Sequence, residues 1–87
     1  PTQRLTDMMF LGNSLYFTTS CAGEVCGAVW RMGLNETSPT LLQRENSHSP
    51  EGIAYNSEKN IFMITFDMGD EGSKYMTLRG PRSHSNE

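Results

Sequence analysis

The chain predicts an all-β fold of short antiparallel strands, and three observations carry that expectation. Apolar residues make up 36% of its 87 positions while glycine occurs eight times, a mixture that suits strands joined by many turns better than a helical bundle. No segment repeats apolar residues at helical spacing, whereas several short runs are rich in aromatic and β-branched residues and are bounded by Gly, Asn, Ser and Pro. These runs also recur along the chain. Met9 and Tyr55 lie 55 − 9 = 46 positions apart, and at the same gap-free shift Leu15 falls on Ile61, Tyr16 on Phe62, Phe17 on Met63 and Thr19 on Thr65. Trp30 and Met32 fall on Met76 and Leu78.

In chain order, Asp7 to Leu11 is the first strand, stopped by Gly12-Asn13-Ser14, residues that favour turns. Leu15-Tyr16-Phe17-Thr18-Thr19 is the second, followed by a loop between Cys21 and Cys26. Gly27 to Met32 is the third. A polar linker ending in Ser38-Pro39 leads to the fourth, Thr40 to Arg44. The polar run Glu45 to Ser49 reads as a loop, and Pro50-Glu51-Gly52 as a turn heading the next strand, Gly52 to Tyr55. Ile61 to Phe66 and Lys74 to Leu78 complete the set, with the acidic, Gly-punctuated run Met68 to Gly72 as a hairpin loop between them.

Four short strands per unit with a period of about 40 to 50 residues is the signature of a β-propeller. The expected architecture is therefore about two propeller blades: 1–45 the first, 46–78 a partial second, and 79–87 a loose tail. Each blade buries its faces against neighbours, so about three repeats or more are needed for stability. Three arrangements answer that need. The chain is part of a larger propeller whose remaining blades lie in the same or another chain, or it is a homo-oligomer that closes one ring, or the repeat is accidental and the chain is a small sandwich.

Net charge is −3 with Lys and Arg scattered singly, which argues against nucleic acid as a partner. No apolar run approaches the roughly 18 residues of a membrane-spanning helix. The start at Pro1 reads as a processed product or a fragment. Cys21 and Cys26 are best read as a local disulfide stapling a loop, with free thiols and a metal site as alternatives; zinc would need two more ligands, and His48 and His84 are poorly spaced for it. Asn35-Glu36-Thr37 is a glycosylation sequon. With the cysteine pair it points to a secreted location.

Ligands of propellers meet the loops at the mouth of the central channel. Glu51 before an inner strand and Asp67 at the end of the next are placed to offer oxygen ligands to Ca²⁺; read structurally, Glu51 is a turn residue and Asp67 belongs to a solvated acidic loop. Thr18, Thr19 and Ser20 read as strand-surface hydroxyls, His48 as a solvated loop residue, and Tyr16 and Trp30 as core between blades, with Trp30 as a sugar platform the alternative. No serine sits in a nucleophile elbow, and no catalytic residues can be assigned.

The segments Gly12 to Ser20, Gly27 to Arg31, Thr40 to Leu42 and Ser49 to Ile53 together resemble the PhoX-type alkaline phosphatases. That resemblance implies a secreted, calcium-dependent, six-bladed propeller acting on phosphate esters. Where that family carries a Cys-Glu-Asp-Gly strand end, this chain has Thr65-Phe66-Asp67-Met68, so the metal-ligand role passes to Asp67 alone. Pro50-Glu51-Gly52 is similar to the opening of gluconolactonase and regucalcin-like propellers, which implies a divalent-metal role for Glu51. The leading expectation is thus a piece of a calcium-dependent hydrolase-like propeller. The alternative is a non-catalytic extracellular propeller for protein or carbohydrate binding or for structural assembly.

Overall fold

A computed structural model describes residues 3–21, 26–45, 48–67 and 72–82. They form seven antiparallel strands in two sheets, with no helix among the described residues. The first sheet is a meander of β1 (Gln3–Leu11), β2 (Ser14–Cys21), β3 (Gly27–Gly33) and β4 (Thr40–Glu45) in that order. The second is a meander of β5 (Ser49–Asn56), β6 (Ile61–Asp67) and β7 (Ser73–Arg79). Every expected strand is present, and most run a residue or more beyond the expected ends. The expected acidic hairpin loop lies largely outside the described residues, as does the tail beyond Arg82.

One local expectation is corrected. Pro50-Glu51-Gly52 is not a turn before β5 but part of it, and the register shift between Pro50 and Gly52 makes Glu51 the extra residue of a β-bulge. Proline is tolerated there because β5 is an edge strand of its sheet, where a missing backbone donor breaks no ladder on the open side. The start of the expected tail is also held: the Gly80 amide donates to the Asn60 carbonyl at 2.8 Å, and Asn60 Nδ2 donates to the Pro81 carbonyl at 3.0 Å.

Local chemistry sets the hairpins. Gly12 has φ +61° and opens the two-residue β1–β2 turn, a conformation that L side chains rarely adopt. The β5–β6 turn is longer, spanning Ser57 to Asn60. Asn56 Oδ1 accepts the amides of Glu58 and Lys59 at 3.0 and 3.1 Å, and Asn60 takes the left-handed conformation at φ +53°.

The core lies between the sheets. Tyr16 and Val29 from the first sheet pack with Ile53, Phe62, Ile64 and Phe66 from the second, flanked by Met9, Leu11, Tyr55, Met76 and Leu78. The Tyr16 and Phe62 rings lie 4.4 Å apart, and Phe62 meets Tyr55 at 5.1 Å. Gly27 lets the sheets approach: a Cβ there would fall onto the Thr19 carbonyl oxygen and the Pro50 ring.

The two sheets repeat each other pair by pair, with a correction to the sequence alignment. Both first strands carry a bulge, between Leu5 and Asp7 in β1 and between Pro50 and Gly52 in β5. Matching the bulges places Leu5 on Pro50 (50 − 5 = 45), Thr19 on Phe66 (66 − 19 = 47) and Trp30 on Met76 (76 − 30 = 46). With those offsets every β1–β2 pair from Leu5↔Thr19 to Leu11↔Ser14 falls on a β5–β6 pair, and every β2–β3 pair falls on a β6–β7 pair. The gap-free shift of 46 holds for the third strands but misses by one in the first two, because the Ser57–Asn60 turn is two residues longer than Gly12-Asn13. Leu15 therefore corresponds to Phe62 rather than Ile61, and Phe17 to Ile64 rather than Met63.

Candidate functional site

Side chains alternate across a strand, so a one-residue correction moves each counterpart in the first two strands to the other face of its sheet. The second sheet docks through Ile53, Tyr55, Phe62, Ile64, Met76 and Leu78. Their counterparts in the first sheet are Met8, Phe10, Leu15, Phe17, Trp30 and Met32, and none of these belongs to the core between the sheets. They lie on the opposite, open face. Met8, Phe17, Trp30 and Leu41 are successive cross-strand partners, forming an apolar row across all four strands. Phe10, Leu15 and Met32 make a shorter row beside it. Phe10 is 64% exposed and Met8 46%. Phe17 and Trp30 lie nearly parallel, with ring centroids 6.3 Å apart. Trp30 Nε1 donates to Thr19 Oγ1 at 3.0 Å, and Thr19 in turn donates to Gln3 Oε1, so the row is held in place by hydrogen bonds at its margin. The packing of the two sheets is thus front to back, through unlike faces.

One charged side chain organises the junction. Asp7 Oδ2 accepts the amide of Ile53 at 2.9 Å, and its Oδ1 accepts the amide of Met8 at 2.8 Å. Met8 and Ile53 are counterparts, so a single carboxylate bridges the same backbone position of both sheets. The counterpart of Asp7 itself is Gly52. Asp7 was not among the expected functional residues, although an acid heading the apolar run Met8-Met9-Phe10-Leu11 was the available signal. Four consecutive apolar residues in one strand also signal a sheet meant to be covered on both faces.

Of the expected site residues, Glu51 is exposed on its bulge and Asp67 is exposed at the end of β6, where it pairs with Ser49. Both carboxylates therefore stand at the same end of the β5–β6 pair. No group of three or more His, Cys, Asp or Glu side chains placed to hold a metal occurs among the described residues. His48 is half-buried, 6.2 Å from the Phe66 ring. A groove of about 760 Å³, lined in part by Tyr16, Arg31, Tyr55 and Arg82, opens at the opposite end beside the β1–β2 and β5–β6 turns. The carboxylates and that groove do not coincide. Thr18 is buried with its hydroxyl 2.7 Å from that of Thr6, a structural pair rather than a pocket lining. Tyr16 is core as expected, but Trp30 is half-buried on the open face.

Cys21 and Cys26 form a disulfide with Cα atoms 5.3 Å apart, and the Cys21 amide donates to the Cys26 carbonyl at 2.9 Å. The bond agrees with the loop-staple reading of the pair. Asn35 is exposed in the β3–β4 connection. Beside it Glu36 accepts the Gly33 amide at 2.9 Å and pairs with Arg31 at 3.6 Å. No helix among the described residues is long and apolar enough to cross a membrane. Compared with protein-family models, curated proteins and solved structures, the chain matches none.

Proposed function

We propose that the chain is a two-blade part of a β-propeller in a secreted or surface protein, and that it works by binding and assembly through its sheet faces. The observation that carries this reading is the front-to-back packing of two register-matched meanders, which leaves on the first sheet the same apolar face that the second sheet buries. Such packing repeats without change of interface, as propeller blades require. The disulfide favours an oxidising compartment, and glycan on Asn35 is part of the same reading. The test is a single chain of three concatenated copies. It is expected to melt well above the single chain, with Trp30 fluorescence shifted to the blue as its face is covered. A concatemer no more stable than the single chain defeats the propeller reading.

A second reading, a calcium-dependent hydrolase-like propeller, is favoured by Glu51 and Asp67 standing at one end of β5–β6. Hard oxygen ligands from neighbouring strand ends suit Ca²⁺, with further ligands supplied by other blades. Calcium titration separates the two. The binding reading expects no calcium-dependent shift in thermal midpoint for the parent or for Glu51→Ala and Asp67→Ala. A rise that both substitutions abolish favours the hydrolase-like reading and justifies assays on phosphate esters.

A further inference from the structure

We infer that the open face of the first sheet is a docking surface for the second sheet of another copy of this chain, so that copies join head to tail. The inference rests on the propeller reading for its geometry and adds the identity of the occupant.

Three observations converge on that occupant. The face to be covered, Met8, Phe10, Leu15, Phe17, Trp30 and Met32, matches the face by which the second sheet already docks at every apolar position but one, Thr19 standing where the second sheet has Phe66, so a surface that accepts one is suited to the other. The open face of the second sheet carries Ala54, Met63, Thr65 and Tyr75. These are the counterparts of Met9, Tyr16, Thr18 and Val29, the residues that receive the second sheet inside the chain. Thr65 matches Thr18 and Met63 fills the place of Tyr16, while Ala54 for Met9 and Tyr75 for Val29 exchange a large and a small side chain between neighbouring strands. The third observation concerns the hydrogen bonds. At the internal junction Ile53 takes its carboxylate from the neighbouring sheet, whereas at the open face Met8 is already satisfied by Asp7 of its own strand. A partner sheet covering Met8 needs no acid at the Asp7 position, and the second sheet has Gly52 there.

Unlike faces give a heterologous contact, which closes a ring if the rotation per step allows and otherwise grows as a stack. The contact buries an apolar patch of a kind that monomeric proteins seldom leave open.

Sedimentation velocity and native mass spectrometry across a concentration series test this. The parent is expected to form species larger than a dimer as concentration rises. Phe10→Glu spoils the open face of the first sheet, and Met63→Glu spoils that of the second; neither residue belongs to the core. Each variant alone is expected to stay monomeric, with the circular dichroism of the folded chain. Their equimolar mixture is expected to form a heterodimer and nothing larger, because each variant keeps one good face. If Phe10→Glu fails to fold, Met8→Lys takes its place in the same mixture. A parent that remains monomeric throughout overturns the inference, and if the concatemer is nonetheless stabilised, the propeller reading survives. A dimer that persists in Met63→Glu and vanishes in Phe10→Glu is a symmetric pairing of first sheets and overturns it as well.

Discussion

Asp7 shows how much of this molecule turns on one side chain. A carboxylate that accepts two amides makes charge-assisted bonds, worth more than neutral ones. Removing it leaves the Ile53 amide part-buried without its acceptor. Asp7→Ala is therefore expected to cost about 2 kcal/mol in a urea titration, and Asp7→Asn less, since an amide oxygen can still accept one of the two bonds. Gly27 is sensitive for a steric reason. Gly27→Ala drives a methyl into the Thr19 carbonyl and the Pro50 ring and should lower stability by roughly 1–3 kcal/mol, read in the same titration. Neither role was legible in the sequence. Asp7 could be seen as an acid out of place in an apolar strand, but its partner lies 46 residues away, and no local pattern reports a contact made by tertiary packing.

At the level of elements the sequence was far more readable. Turn residues and β-branched or aromatic runs located all seven strands, because strand formation here follows local chemistry that the chain writes plainly. Pro50 was misread, since proline marks turns and edge strands alike and only the position of β5 in its sheet decides between them. The repeat was read nearly correctly. Its one-residue error arose because a turn can gain two residues without changing any strand, and a gap-free shift cannot register that. The consequence was large in the first two strands, as faces alternate at every residue: Leu15 was matched to Ile61 and Phe17 to Met63, each one position from its true counterpart and so on the wrong face. Phe62→Ala empties the centre of the docking face and should cost about 4 kcal/mol, a large share of the roughly 5–15 kcal/mol that holds a small domain, so the thermal transition is expected to broaden or disappear. Reducing the Cys21–Cys26 disulfide frees a short loop and should cost about 2 kcal/mol on a chain-entropy estimate, measured as a lower urea midpoint after reduction.

For the whole molecule, what the chain does was the least legible part. The proposed binding through a sheet face would leave no motif, only apolar residues that look like core until the structure shows which side they occupy. The expected carboxylates at Glu51 and Asp67 stand at one end of β5–β6, and among the described residues no group of three or more metal-ligating side chains includes them. Because Gly52 stands where a second such acid would be, the carboxylate clamp of Asp7 belongs to the internal junction, and the proposed junction between copies would lack it. The joints of an assembly are then ranked. On dilution or with mild denaturant the copies should part first, each leaving as an intact pair of sheets, and only harsher conditions should separate the sheets themselves.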